Sequence, residues 1–289
     1  MTEAQFDWND KVAVVTGGAS GIGRAIVEHA TNLDMKVVLA DINNENINDV
    51  VNELQVDKSR ILAVQTDVTK FESVQNLAKR TFETFGQVDF LFNNAGVSNI
   101  NFVWESSLND WNWVMGVNLM GVVHGVKAFV PKMIEQDREG YIINTSSLSG
   151  LMTGNLGIYS VSKHAVVSLS ETLQQQLLLI NSKLKVSVFC PQFVKTKINT
   201  SERNRLVEYL DEEKNISEEQ VHPILVKTKK FADRMVSSGM DPKLAVEILF
   251  KEIEEGKFYI LSHKNEKVME SIKMRMEGIL EGVLKGYGV

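Results

Sequence analysis

Short runs of apolar residues alternate along this chain with longer stretches whose apolar positions recur every three or four residues. The runs Val12–Val15, Val37–Ala40, Ile61–Val64, Val88–Phe92, Tyr141–Asn144, Val186–Cys190 and Phe258–Leu261 lack polar alternation. A strand that is apolar on both sides is buried on both faces, as in a parallel sheet. The stretches Gly23–Leu33, Asn46–Leu54, Phe71–Phe85, Asp110–Ile134, Tyr159–Ile180 and Pro242–Glu255 carry the helical period. Strand and helix in strict turn predict an α/β fold, a doubly wound sheet of seven parallel strands within a single domain spanning 1–289.

Two regions break the rhythm. Residues 195–240 hold no strand pattern and are rich in charge. They are read as an insertion of helices and loop overhanging the carboxyl ends of the strands, a lid rather than a linker. In the tail, 264–289, Val268, Ile272, Met276, Ile279 and Val283 recur at helical spacing. An amphipathic helix is expected there, its apolar face packed on the domain or on another subunit.

Between the first strand and the first helix lies Thr16-Gly17-Gly18-Ala19-Ser20-Gly21-Ile22-Gly23. Glycines in that place allow a tight turn and close approach of backbone to a pyrophosphate. The helix start, Ser20, Gly21 and Ile22, offers free N–H groups and the positive end of a dipole. Asp41 ends the second strand, where a carboxylate accepts ribose hydroxyls and repels a 2′-phosphate. The other reading of Asp41, a cap for the next helix, suits Asn43 better. Neither Ser20 nor Ile42 is basic, so NAD is preferred and NADP is the second choice. Asp67 and Val68 follow the third strand and are placed at the adenine. Asn94, Ala95 and Gly96 end the fourth, where small residues let the chain pass a ribose.

Tyr159 and Lys163 stand four apart in a helical stretch and so share a face. A free phenol has a pKa of about 10, too high for an efficient base near neutrality. A neighbouring ammonium favours the phenolate. It also offers hydrogen bonds to a nicotinamide ribose. No other tyrosine in the chain has a lysine four residues on. The preceding strand ends in Asn144-Thr145-Ser146-Ser147, which puts a serine hydroxyl at the same sheet edge.

Taken together, Thr-Gly-x3-Gly-Ile-Gly, Asn-Asn-Ala-Gly, the serine and Tyr-x3-Lys occur in one order, and over nearly its whole length the chain resembles the short-chain dehydrogenase/reductase family. The resemblance implies a Rossmann fold with Tyr159 as general acid/base and Lys163 as its partner and ribose anchor. It implies Ser147 as donor to the substrate oxygen and Asn118 as the residue orienting a water in a proton relay. It adds Pro191, Val194 and Thr196 to the cofactor contacts and implies a homodimer or homotetramer built on the long fourth and fifth helices. Two departures stand out. The Ser–Tyr spacing is one residue shorter than usual, which keeps Ser146 as the alternative to Ser147. Gln192 replaces a glycine after Pro191.

The expected reaction is interconversion of a secondary alcohol and a ketone with NAD(H). The rivals are an NADPH-linked carbonyl reductase and a nucleotide-sensing protein on the same fold. Ser98, Phe102, Leu148, Met152, Phe193 and Val194, mostly apolar, are expected to face the substrate, which favours a hydrophobic alcohol.

Composition narrows the rest. A net charge of −6 across 289 residues argues against a nucleic-acid or anionic-membrane partner. The single cysteine, Cys190, forms no intrachain disulfide, and a reducing compartment fits. It is read as a buried core thiol. The five histidines show no metal-ligand spacing. The acidic N-terminus has no signal-peptide pattern, and no apolar stretch approaches the roughly 20 residues of a membrane span. A cytoplasmic, soluble protein is expected.

Overall fold

The computed structural model describes residues 6–54, 56–152, 154, 156–211 and 222–285. Seven parallel strands form the sheet: β1 Val12–Thr16, β2 Lys36–Asp41, β3 Ile61–Gln65, β4 Phe90–Asn93, β5 Gly140–Thr145, β6 Leu184–Cys190 and β7 Tyr259–Leu261. Their order is β3-β2-β1-β4-β5-β6-β7, so the chain reverses its direction of winding between β1 and β4. Loops diverge at such a point and leave a crevice at the carboxyl ends of the strands.

The strands have two apolar faces because helices cover both. Alternate residues of β1 serve opposite layers: Ala13 and Val15 pack with α1 (Gly21–Asn32), α2 (Asn44–Glu53) and α8 (Pro242–Glu254). Val12 and Val14 pack with α3 (Phe71–Phe85), α5 (Gly121–Glu135) and α6 (Ile158–Leu179). The period of two along a strand thus explains the unbroken apolar runs. As the sequence suggested, Asn43 caps α2, its side chain accepting from Asn46 N at 3.0 Å.

The helix expected over Asp110–Ile134 is interrupted. α4 (Leu108–Met115) runs into a π turn, Gly116–Met120, before α5 begins. Asn118 sits in that turn, fully buried, and its amide is tied to loop backbone rather than to the helix. An extra residue in a helix of this kind re-aims a side chain and marks functional sites often. The whole run Leu108–Glu135 is 28 residues long and apolar enough by composition to cross a membrane, contrary to the expectation from sequence. Half of its most apolar window is buried in the protein, and Phe129, Val130 and Met133 belong to the core cluster that also holds Val12 and Val14 of β1. It serves as a core helix.

The insertion after β6 begins with a strap. Two 3₁₀ turns, Ile198–Asn204 and Val207–Tyr209, lead to α7 (Pro223–Ser237). The charged run at 212–221 lies outside the described residues. A parallel bridge between Val194 and Met240 closes the insertion at its base. In the tail, α9 (Glu266–Glu281) forms as expected, but its apolar face is only partly covered. Val268 and Ile272 pack against the domain, whereas Met276, Ile279 and Val283 are exposed. The last residues, 286–289, and the first five lie outside the described residues.

Candidate active site

A single cavity at the carboxyl ends of the strands joins the glycine turn to the Tyr159–Lys163 face. All the site residues expected from sequence line it except Gly23, Asn118 and Phe102. The glycine turn is held by sterics. Gly21 has a φ of +52°, a region that L side chains avoid. A Cβ on Gly23 would run into the Gly17 carbonyl and, at 2.6 Å, the Asn94 amide. Gly23 therefore sets the close packing of α1 on β1 rather than touching a ligand. Ser20 precedes α1, and its side chain makes no capping bond. Its hydroxyl and the helix amides are left for an anion.

Around this turn the strand ends are locked to one another. Thr16 Oγ1 accepts from Asn94 N at 3.0 Å and Ala95 N at 3.2 Å, and Asn94 Nδ2 donates to Thr16 O at 3.0 Å. Asp41 is buried, with Oδ2 accepting from Ala19 N at 3.1 Å and Oδ1 from Asn43 N at 3.0 Å. Those bonds fix the carboxylate in the cavity wall. Arg24, the nearest cation on α1, is spent on Glu28 and Glu53. Asp67 accepts from Thr69 N and Oγ1 at 2.9 and 2.7 Å, a local turn that still faces the cavity.

α6 carries the chemistry-bearing pair. One helical turn separates Tyr159 from Lys163, whose Nζ lies 5.6 Å from the tyrosine ring centre. Lys163 is buried and donates to Thr145 O at 3.0 Å. It makes no ion pair among the described residues. Burial therefore dominates its titration and pushes the amine down to about 8. The same burial raises the Tyr159 hydroxyl above its ordinary value, and a hydrogen bond with Ser147 opposes that rise. The phenol thus lies above its ordinary value, the reverse of the direction expected from the lysine charge. The ammonium is itself desolvated and turned toward a neutral carbonyl, so it does not outweigh the loss of water around the phenol.

The two serines part ways, as neighbours at a strand end must. Ser146 Oγ donates to Lys163 O at 2.8 Å and ties β5 to α6. Both serines line the cavity, and Ser147 Oγ accepts from Ser149 N at 3.1 Å and shares a hydrogen bond with Tyr159. Asn118 stands behind this pair. Its Oδ1 accepts from Val97 N at 2.8 Å, and its Nδ2 donates to Val97 O at 3.0 Å and Ser162 Oγ at 2.9 Å. Ser162 in turn donates to Tyr159 O at 2.7 Å. Ser162 was not marked from sequence, since a lone hydroxyl on a helix carries no signal of its own, and Thr16 was marked only as the opening of the glycine motif.

The chain belongs to the short-chain dehydrogenase family. The family model described as short chain dehydrogenase matches residues 11–206. A short-chain dehydrogenase/reductase from Burkholderia phymatum, solved in complex with NAD, is 39% identical and superposes with a TM-score of 0.91 over 99% of each chain. The CLA biosynthesis dehydrogenase/reductase of Lactiplantibacillus plantarum is 33% identical over 258 residues, 89% of either chain. The C alpha-dehydrogenase of a Sphingobium strain is 30% identical over 284 residues, 96% of this chain and 88% of its own.

Within this short-chain dehydrogenase the substrate side of the cavity differs from expectation at one residue. Phe102 stacks on Trp104, centroids 4.6 Å apart, and meets His222 edge-on instead of lining the cavity. Trp104 is 74% exposed. Ser98, Leu148, Met152 and Phe193 do line it, joined by Ile100, Trp113, Leu206, Tyr209, Ala232 and Val236. The last four come from the strap and α7, where no periodicity announced an inward face. Trp113 is 2% exposed and also forms part of the wall. Arg205 covers it at 5.0 Å and pairs with Asp110 at 2.8 Å. Cys190 is buried, as expected, and burial pushes its thiol up to about 12, so it stays protonated. No cluster of metal-binding side chains occurs among the described residues.

Proposed function

We propose that this oxidoreductase interconverts a secondary alcohol and a ketone on a hydrophobic substrate, with NAD(H) as its cofactor. One observation carries the reading: Ser147, Tyr159 and Lys163 converge on the cavity that the Gly17–Gly21 turn and Asp41 also line. The cradle fits a dinucleotide because Gly17 and Gly21, both at positive φ, line it without side chains and Gly23 lets α1 start close against the Gly17 backbone. NAD suits it better than NADP. Asp41 presents a fixed carboxylate where a 2′-phosphate would stand, and Arg24 is already paired. The NAD carried by the B. phymatum relative supports the same choice.

When bound, NAD supplies the hydride acceptor. Tyr159 takes the hydroxyl proton during oxidation and returns it during reduction. Ser147 donates to the substrate oxygen and holds it against the Tyr159 hydroxyl. Lys163 keeps N–H donors beyond its bond to Thr145, and these hold the nicotinamide ribose. Asn118 fixes the Val97 backbone and, through Ser162, the first turn of α6; a relay water is its proposed further partner. The apolar wall excludes water from the carbinol carbon. The same reading carries a homodimer or homotetramer as the assembly and a small alcohol or ketone as the partner.

The test is NADH formation across a panel of apolar secondary alcohols, with Tyr159→Phe as the control and NADP as the competing acceptor. Turnover with NAD that Tyr159→Phe abolishes supports the reading. Preference for NADP would refute the role given to Asp41. Tight NAD binding without oxidation of any alcohol would instead favour a nucleotide sensor.

A further inference from the structure

The cavity is electrically uneven. Its carboxylates, among the described residues, are Asp41 and Asp67, at the end of β2 and just after β3. The strap adds two cations to the lining, Lys197 and Arg203. Neither forms an ion pair among the described residues, whereas Arg24, Lys70 and Arg205 all do.

Arg203 and Lys197 are both exposed at the rim of the cavity, and Arg203 is tethered there. Its Nη1 donates to Lys197 O at 2.8 Å, Thr200 O at 2.7 Å and Thr200 Oγ1 at 3.0 Å. One nitrogen thus anchors the guanidinium to the strap. Nε and Nη2 keep donors without an acceptor among the described residues, a fork suited to an oxyanion. The strap is rooted beside α1, since a Cβ on Gly21 would meet Thr196 Cγ2 at 3.0 Å. Lys197 follows Thr196 directly, and Arg203 is bonded to the Lys197 carbonyl. Both cations therefore belong to the part of the cavity where α1 begins. The anion that the start of α1 attracts is a diphosphate.

We infer that Lys197 and Arg203 hold the cofactor diphosphate from the strap, opposite the start of α1. The inference rests on the NAD reading above. A carboxylate on the substrate has the same oxyanion chemistry, and the experiment separates the two sources.

Calorimetry with ADP-ribose, adenosine and decanoate tests it on the whole chain, at low and high salt. Arg203→Gln weakens ADP-ribose about tenfold and Lys197→Gln about threefold, with adenosine unchanged and the salt dependence flattened. Lys197 enters the strap's hydrogen bonds through its backbone alone, so Lys197→Gln leaves that scaffold in place and reports the charge. Wild-type affinity for ADP-ribose in both variants overturns the inference. So does a loss confined to decanoate, which would give the anion to the substrate. If the unaltered protein binds neither ADP-ribose nor NADH, the dinucleotide reading itself falls, an outcome distinct from either.

Discussion

The floor of the cavity is cut from strand ends and a glycine turn, whereas its roof is a strap of 3₁₀ turns over 196–211. Floor residues are joined by bonds between side chain and backbone that link neighbouring strand ends, such as Thr16 to Asn94 and Ala95. Roof residues hold on by side chains that cross the cavity. Ser201 exchanges hydrogen bonds with Ser98 at 3.0 and 3.1 Å, Arg205 pairs with Asp110, and Ser107 donates to Asp211 at 2.6 Å. Several apolar strap residues, Val207 and Leu210 among them, face solvent. A floor with saturated, buried bonds opens only with the whole domain, while a roof on a few side-chain ties opens at low cost. On the proposed reading, the cavity keeps its proton chemistry on the fixed side and its substrate on the adjustable one.

The comparison breaks first at the floor. Removing the Tyr159 hydroxyl with Tyr159→Phe takes out the proton carrier and lowers kcat by about 1,000-fold, read as initial-rate NADH formation. Dinucleotide affinity stays near wild type, because the ring still packs. Next in size is Gly23→Ala. Its Cβ collides with the Gly17 backbone, which cannot yield without moving the turn. NADH affinity falls about a hundredfold by fluorescence titration, with the cavity deformed at its phosphate end.

These two residues also show how legible the molecule was. All seven strands and most helices were readable, because burial on both sheet faces leaves an unmistakable apolar run and the helices keep their period. The glycine turn and Tyr159–Lys163 were readable because their chemistry demands fixed residue types at fixed spacing. What escaped depends on three-dimensional neighbours. The π turn at Asn118 follows from contacts with Val97 and Ser162, residues distant in sequence. Phe102 turned away because Trp104 offered it a stacking partner. The titration of Tyr159 was misjudged because spacing gives the distance to Lys163 but not the burial of both. The strap gave no signal, since its inward residues follow no period.

Asn118 sharpens the contrast from behind the floor. Asn118→Ala orphans the buried Val97 N–H and C=O and removes one donor from the Ser162 hydroxyl, and costs about 2 to 3 kcal/mol in urea unfolding. In the roof, Arg205→Ala frees Asp110 and uncovers Trp113. The substrate KM rises about tenfold with a small change in kcat, and the strap becomes the first site of limited proteolysis. Arg205→Lys does not restore it, because an ammonium cannot both lie flat on the indole and reach the Tyr209 carbonyl through two nitrogens, as Arg205 does at 3.0 and 2.7 Å. The smallest effect is a slope. Burial raises the Tyr159 phenol, so the base form needed for oxidation grows with pH. For the free protein, kcat/KM of alcohol oxidation climbs past neutrality with no plateau below about pH 10, while ketone reduction, which needs the protonated form, stays level through neutrality and falls only as the pH approaches the raised phenol value.

Transfer of a labelled hydride tests the centre of the account. A secondary alcohol that the protein oxidises is supplied with deuterium on its carbinol carbon, and the reduced cofactor is weighed by mass spectrometry. The account predicts one deuterium on NADH from the unaltered protein and negligible labelled NADH from Tyr159→Phe despite full cofactor binding. Unlabelled NADH, or equal labelling by the phenylalanine variant, would contradict it.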